Sequence, residues 1–323
     1  YDADGWPLGL PQNVPGRPYP QIVKTVWADN LGAWPEGTYT CLYDGTGDVR
    51  FGGAIAGPQT NVAPGRIEFA ISNPEPNGTL MMYLVSSDPN DRVRNVRVLM
   101  PGHADTYAQQ PFNPLWMQRL SAFAAIRFMD WGHTNNWGEE NGQAAYDEAE
   151  DSIRRPWSDR TQPSNYTYAV NTGAPYEMMI RLCNVMQRDA WVCIPHNADD
   201  DYIRQMARMF RDSLDPTLTV YVEYSNEIWN WMFGQTQWLN RFGCVEQGVN
   251  WPEGTVPYIQ RAMDLWTDEF EGQTHRTVRV GGVQLGWADV SRRMLLNLEP
   301  GTIDAFAGGS YFGLGGEADA EFD

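Results

Sequence analysis

Residues 219–231 read Thr-Val-Tyr-Val-Glu-Tyr-Ser-Asn-Glu-Ile-Trp-Asn-Trp, a β-branched and aromatic run that stops abruptly at Asn226 and Glu227. Such a run is the pattern of a buried strand. A carboxylate at the C-terminal end of a buried strand, beside an amide and among indoles, suits proton donation to a glycosidic oxygen. Apolar surroundings keep the carboxyl protonated, and the amide can bond a sugar hydroxyl. The same residues also suit a helix start, with Ser225 or Asn226 as N-cap and Glu227 in a first turn where the helix dipole favours an acid.

Working outward, residues 1–95 hold short alternating runs separated by Pro, Gly, Asn and Asp clusters such as Asp44-Gly45 and Asn77-Gly78. That spacing predicts a small antiparallel β-sandwich. From residue 96 the pattern alternates strand with helix, with strands expected at 96–100, 125–129, 190–195, 219–224, 277–285 and 303–311. Between them, Asn113-Pro114 opens one expected helix, and Asp199 to Asp201 cap another that carries Ile203, Met206 and Phe210 at helical spacing. Repeated strand–helix units predict an α/β fold, a (β/α)8 TIM-type barrel over 96–323, cut after strand 6, that follows the sandwich of 1–95. A doubly wound nucleotide fold competes, but Met100-Pro101-Gly102-His103 is a poor substitute for its Gly-rich turn. The stretch 131–174 is too long for a routine connection and reads as a functional loop or an ordered insertion.

The 323 residues carry a net charge of −18, and Lys24 is the only lysine. An acidic chain without clustered cations is not built to bind a phosphate backbone, so nucleic acid is excluded and a neutral partner expected. No apolar run approaches the ~20 residues of a membrane span. Cys41, Cys183, Cys193 and Cys244 lack C-x-x-C spacing, which argues against zinc; buried thiols or one disulfide such as Cys183 with Cys193 remain open. No cofactor and no metal is expected. The acidic residues Glu139, Glu140, Asp147, Glu148, Glu150 and Asp151 lack the spacing of a calcium loop and read as a solvated face.

At the predicted strand ends, polar and aromatic groups gather: Arg127, Asp130 and Trp131 after the second, His196 and Asn197 after the third, Asn226 and Glu227 after the fourth. Gln284 and Trp287 follow the fifth and Tyr311 the sixth. In a barrel these ends share one face, so the set predicts a sugar site, although Trp131, Trp229 and Trp287 suit core packing as well as sugar platforms. Each has a bland alternative: Arg127 as a buried partner of Asp130, His196 as a loop histidine and Tyr311 as a core aromatic.

A strand-two arginine, a strand-four Asn-Glu and a strand-six tyrosine in this order resemble clan A of the glycoside hydrolases, the retaining TIM-barrel glycosidases. Arg-Phe-Met-Asp-Trp, Ile-Pro-His-Asn-Ala and the 219–231 motif more closely resemble secreted bacterial proteins that place a β-domain before such a barrel. The resemblance implies Glu227 as acid/base, Asn226 as the amide on the sugar 2-hydroxyl, Arg127 near the catalytic carboxylates and Tyr311 as the tyrosine that orients the nucleophile. It also implies a carbohydrate partner and an extracellular or periplasmic location. The clan's nucleophile is a glutamate ending the seventh strand, and too few residues follow 311 for two more units. Glu317 and Glu321 lie in a Gly- and Ala-rich tail without strand character. The expectation is therefore a longer protein, a second polypeptide completing the barrel, or a carbohydrate-binding or matrix-forming protein that has lost hydrolysis.

Overall fold

The computed structural model describes residues 1–29, 32–72, 74–138 and 154–309, and divides into two compact units: Tyr1–Pro114 with Ser164–Thr167, and Leu115–Pro163 with Tyr168–Asp323. The first unit holds β1 (Val23–Asp29), β2 (Gly37–Asp44), β3 (Gly47–Gly52), β4 (Ala56–Ala63), β5 (Arg66–Ile71), β6 (Gly78–Ser87) and β7 (Arg94–Leu99). They form two antiparallel sheets, ordered β1-β6-β3 and β4-β5-β2-β7.

Alternation builds the shared core. On β5, Ile67, Phe69 and Ile71 are buried while Arg66, Glu68 and Ala70 are only partly so. Tyr39, Phe69 and Ile71 of one sheet pack with Leu80 of the other, and Cys41 and Ile67 pack with Val49 and Leu84. The turn after β2 needs Gly45, whose φ is 83°, because a Cβ there would collide with the Arg92 carbonyl oxygen.

One expectation is corrected here. The segment 96–100 is not the first strand of a barrel: β7 pairs antiparallel with β2, with Val98 opposite Cys41, inside the compact unit that runs to Pro114. The physical reason is visible in its pattern, where Val96 and Val98 turn inward while Asn95 and Arg97 are exposed. That is the half-buried alternation of an antiparallel strand, whereas a parallel strand covered on both faces is apolar throughout.

In the second unit, β8 (Ala125–Arg127), β9 (Asp189–Ile194), β10 (Val220–Tyr224), β11 (Thr277–Val283) and β12 (Ala305–Gly308) form one parallel sheet in sequential order. It curls without closing, and among the described residues six α-helices accompany it: α1 (Pro114–Leu120), α2 (Tyr176–Met186), α3 (Asp200–Ser213), α4 (Gly234–Leu239), α5 (Val256–Glu269) and α6 (Ala288–Leu295). The expected (β/α)8 barrel is therefore overturned. Among the described residues the parallel sheet has five strands in the open order β8 to β12.

Asp199 caps α3 by accepting from the Tyr202 amide at 2.7 Å. The helix buries Ile203, Met206 and Phe210, and Phe210 meets Trp266 of α5 with ring centroids 6.3 Å apart. Glu269 accepts from Arg204 at 3.1 Å and from Arg208 at 2.7 Å, tying the two helices together at their surface. Beneath them Val192, Val220 and Val222 are buried in the sheet. All four cysteines are buried and unpaired. No helix among the described residues is long and apolar enough to cross a membrane.

Phe69 is 1% exposed, so Phe69→Ala should lower the stability of the first unit by about 3–5 kcal/mol. Hydrogen exchange should show amides 94–99 losing protection together with β2 and β5. Loss shared instead with β8 to β12 would return 94–99 to the parallel sheet.

Candidate active site

Successive strand residues point to opposite faces, and β10 uses this to separate packing from chemistry. Val220 and Val222 enter the apolar core, while Tyr221 and Glu223 point to the other face, in register with Trp191 and Cys193 of β9. Arg127 of β8 is in register with Trp191 and joins the same face. The Trp191 and Tyr221 rings stack at 5.9 Å, and the Arg127 guanidinium lies 5.2 Å from the Trp191 ring centre.

Glu223 is the centre of this face. Its side chain is 5% exposed, and one carboxylate oxygen accepts from Arg127 Nη2 at 2.8 Å, from Trp191 Nε1 at 3.1 Å and from the Cys193 thiol at 3.8 Å. Burial pushes its carboxyl above the ordinary 4.5, against the opposing pull of Arg127 and the other donors. Burial also pulls on Arg127, but the facing carboxylate wins and holds the guanidinium charged.

The same Arg127 nitrogen donates to Asn226 Oδ1 at 2.9 Å. Asn226 in turn donates to Asn135 Oδ1 at 3.0 Å, and Gln235 donates to that same oxygen at 2.7 Å and to the Asn226 carbonyl at 2.7 Å. With one amide hydrogen committed to Asn135, the second hydrogen of Asn226 Nδ2 is available to a ligand. Ser225 and Glu227 flank Asn226 with φ of 55° and 39°, a left-handed conformation that side chains other than glycine rarely adopt. Strain of that kind collects where a site over-determines its backbone. Glu227 is half-buried, accepts from Asn230 Nδ2 at 2.9 Å and adds to the negative field around Arg127. No helix starts at Glu227, since the next one begins at Gly234.

The structure thus brings Arg127, Asn226 and Glu227 together, with Glu223 in the middle. Arg127 pairs with Glu223, and Asp130 is exposed at the start of a turn whose His133 amide it accepts. Trp131 stacks on Trp116 at 5.5 Å. His196 is buried with its ring edge-on to Trp238, and Asn197 donates to the Trp137 carbonyl at 3.4 Å. Gln284 accepts from the Gly286 amide at 2.9 Å, shaping the turn after β11. Trp229 is buried over Gly282, whose lack of a side chain admits both the indole and Glu223. Tyr311, Glu317, Glu321 and the acidic stretch 139–151 lie outside the described residues.

Three residues were missed. Glu223 was legible as the one acid within the apolar run, but only strand parity shows that it faces away from the helices. Trp231 and Trp251 were also passed over. Trp231, Trp251 and Trp287 form a contiguous row, with centroids 5.2 Å and 5.4 Å apart, and the outer two are 47% and 45% exposed. Trp231 follows β10 and Trp287 follows β11, so the row stands on loops at the carboxyl edge of the sheet, as Glu227 does. Glu223, Glu227 and Trp229 also line a cleft of about 10 Å³, room for a single water. No group of three or more metal-ligating side chains occurs among the described residues. No family model, curated protein or solved structure matches the chain.

Removing the cation should expose the dependence of Glu223 on Arg127. Arg127→Met should cost about 3 kcal/mol at neutral pH, because it leaves a buried carboxyl without its partner. Without Arg127 the Glu223 carboxyl rises further, so the folded state keeps its proton while the unfolded state loses it above pH 4.5. The deficit should therefore be small below that pH and grow as pH rises, which urea midpoints at acid and neutral pH measure. A deficit independent of pH would separate Arg127 from the Glu223 charge.

Proposed function

We propose that the carboxyl edge of the parallel sheet is a carbohydrate site and that Glu227 serves there as the acid/base of a glycosidase. The observation that carries this is the joint presence, on the loops after β10 and β11, of a half-buried carboxyl and a row of three indoles. Indole faces suit the apolar faces of sugar rings, and a nearby carboxyl supplies the proton that a leaving glycosidic oxygen needs. Asn226, oriented by Arg127 and Asn135, presents an amide hydrogen to a sugar hydroxyl.

In the retaining course implied by the resemblance to clan A, Glu227 protonates the leaving oxygen as the bond to the anomeric carbon breaks and a carboxylate takes that carbon. Glu227 then removes a proton from the water that releases the sugar. The resemblance to secreted bacterial proteins supports an extracellular or periplasmic setting for this site.

A second reading, a non-catalytic carbohydrate-binding or matrix-forming protein, is favoured by one observation. The cleft between Glu223 and Glu227 holds about 10 Å³, whereas the indole row is open to solvent. Release of reducing ends from a panel of neutral polysaccharides separates the two. Glu227→Gln should lower hydrolysis by about 10²–10⁴-fold while glycan binding persists, and Trp231→Ala with Trp287→Ala should weaken binding. The first sugar released should keep its anomeric configuration by NMR. Binding that needs the tryptophans, with no hydrolysis by any form of the protein, would favour the second reading. Activity surviving Glu227→Gln but lost in Glu223→Gln would move the acid to β10.

A further inference from the structure

The indole row has a middle member that the strands do not place. Trp231 follows β10 and Trp287 immediately precedes α6, but Trp251 stands on the connection between the π-helical turn Asn240–Val245 and α5. The row is contiguous through Trp251, which meets one outer ring at 5.2 Å and the other at 5.4 Å.

One side chain of α6 ties that connection down. Arg293 donates from Nη2 to the Trp251 carbonyl at 2.9 Å, and from Nε and Nη2 to the two carboxylate oxygens of Glu253 at 2.7 Å each. A two-pronged contact between guanidinium and carboxylate fixes direction as well as distance. The guanidinium holds Glu253 below the usual carboxylate range, so the contact is charged at neutral pH. Asp289, one turn earlier on α6, faces the same guanidinium at 3.6 Å. On its other side the connection rests on Gly243, where Gly254 comes so close that a Cβ on either would collide with the carbonyl oxygen of the other. The backbone is thus held at 254 by the π-helical turn, and at 251 and 253 by the helix that begins beside Trp287. Arg293 and Glu253 are 37% and 33% exposed, and a pair so exposed adds little to folding. Its effect is local to the loop it grips.

We propose that Arg293 is the positioning residue of the indole row: through Glu253 and the Trp251 carbonyl it holds Trp251 against Trp231 and Trp287, so that the row is assembled before a ligand arrives. The use of the row by sugar rests on the carbohydrate site proposed for these loops, whereas the assembly of the row does not.

The test reads the row directly. Indoles in contact couple their ultraviolet transitions and give paired bands of opposite sign in circular dichroism, and the difference between the native chain and Trp251→Phe defines the part due to the row. Arg293→Met should lose most of that part with its urea midpoint nearly unchanged. Glu253→Gln, which breaks the fork from the other side, should do the same and decides alone should Arg293→Met fail to fold. Arg293→Lys keeps the charge but lacks the planar fork, and should restore the bands only in part. Arg293→Met should also weaken whichever of hydroxyethylcellulose or dextran the native chain binds by about fivefold, because binding must then immobilise one indole. In the Trp251→Phe background it should have no further effect, since it acts through that ring. Full bands in both Arg293→Met and Glu253→Gln, or an added loss of affinity in the Trp251→Phe background, would overturn the proposal. Loss of the bands with glycan affinity unchanged would support Arg293 as the positioning residue and remove the row from the sugar site.

Discussion

The pairing of Arg127 with Glu223 is the constraint on which the second unit depends. A carboxylate 5% exposed inside a parallel sheet is tolerable only with a cation and further donors, and the 2.8 Å contact with Arg127 spans from β8 across β9 to β10. It therefore fixes the register of three strands at once. Because the same guanidinium nitrogen also holds Asn226, the pair reaches past the end of β10 and sets the turn that carries Glu227. A structural ion pair and a candidate catalytic turn are in this way one hydrogen-bonded object.

The division of labour across the sheet follows from period two. Alternate residues of β9 and β10 supply the apolar layer under α3 and α5, and those between them supply Trp191, Cys193, Tyr221 and Glu223. A single-residue slip in register would exchange these sets, placing a charge under the helices and valines on the polar face. The polar cluster thus enforces the alignment that the hydrophobic core requires.

The strands of the parallel sheet were legible in the sequence because buried β-branched runs of 4–8 residues bounded by turn residues have few other interpretations. Glu227, Asn226 and Arg127 were legible for a related reason: polar side chains that end such runs have no packing role that accounts for them. The barrel was not legible because it rested on counting units, and 96–100 counted as a parallel strand although the polar positions around it alternate. Glu223 escaped notice because a lone acid inside an apolar run looks like an interruption until its partner, nearly a hundred residues away, is known. The indole row escaped for the same reason, since Trp251 meets Trp231 and Trp287 only through tertiary structure. His196 and Trp131 were chosen by position, and packing against Trp238 and Trp116 placed them in apolar contacts.

The Glu223 carboxylate is matched by three donors, while beside it Ser225 Oγ and Trp229 Nε1 are buried without a partner among the described residues, and the backbone shares the cost of burial, where Ser225 and Glu227 accept left-handed φ values so that Asn226 meets its partners. A backbone over-determined from four directions, by Arg127, Asn135, Gln235 and Asn230, resists movement, which suits a site whose groups must be in place before a substrate arrives.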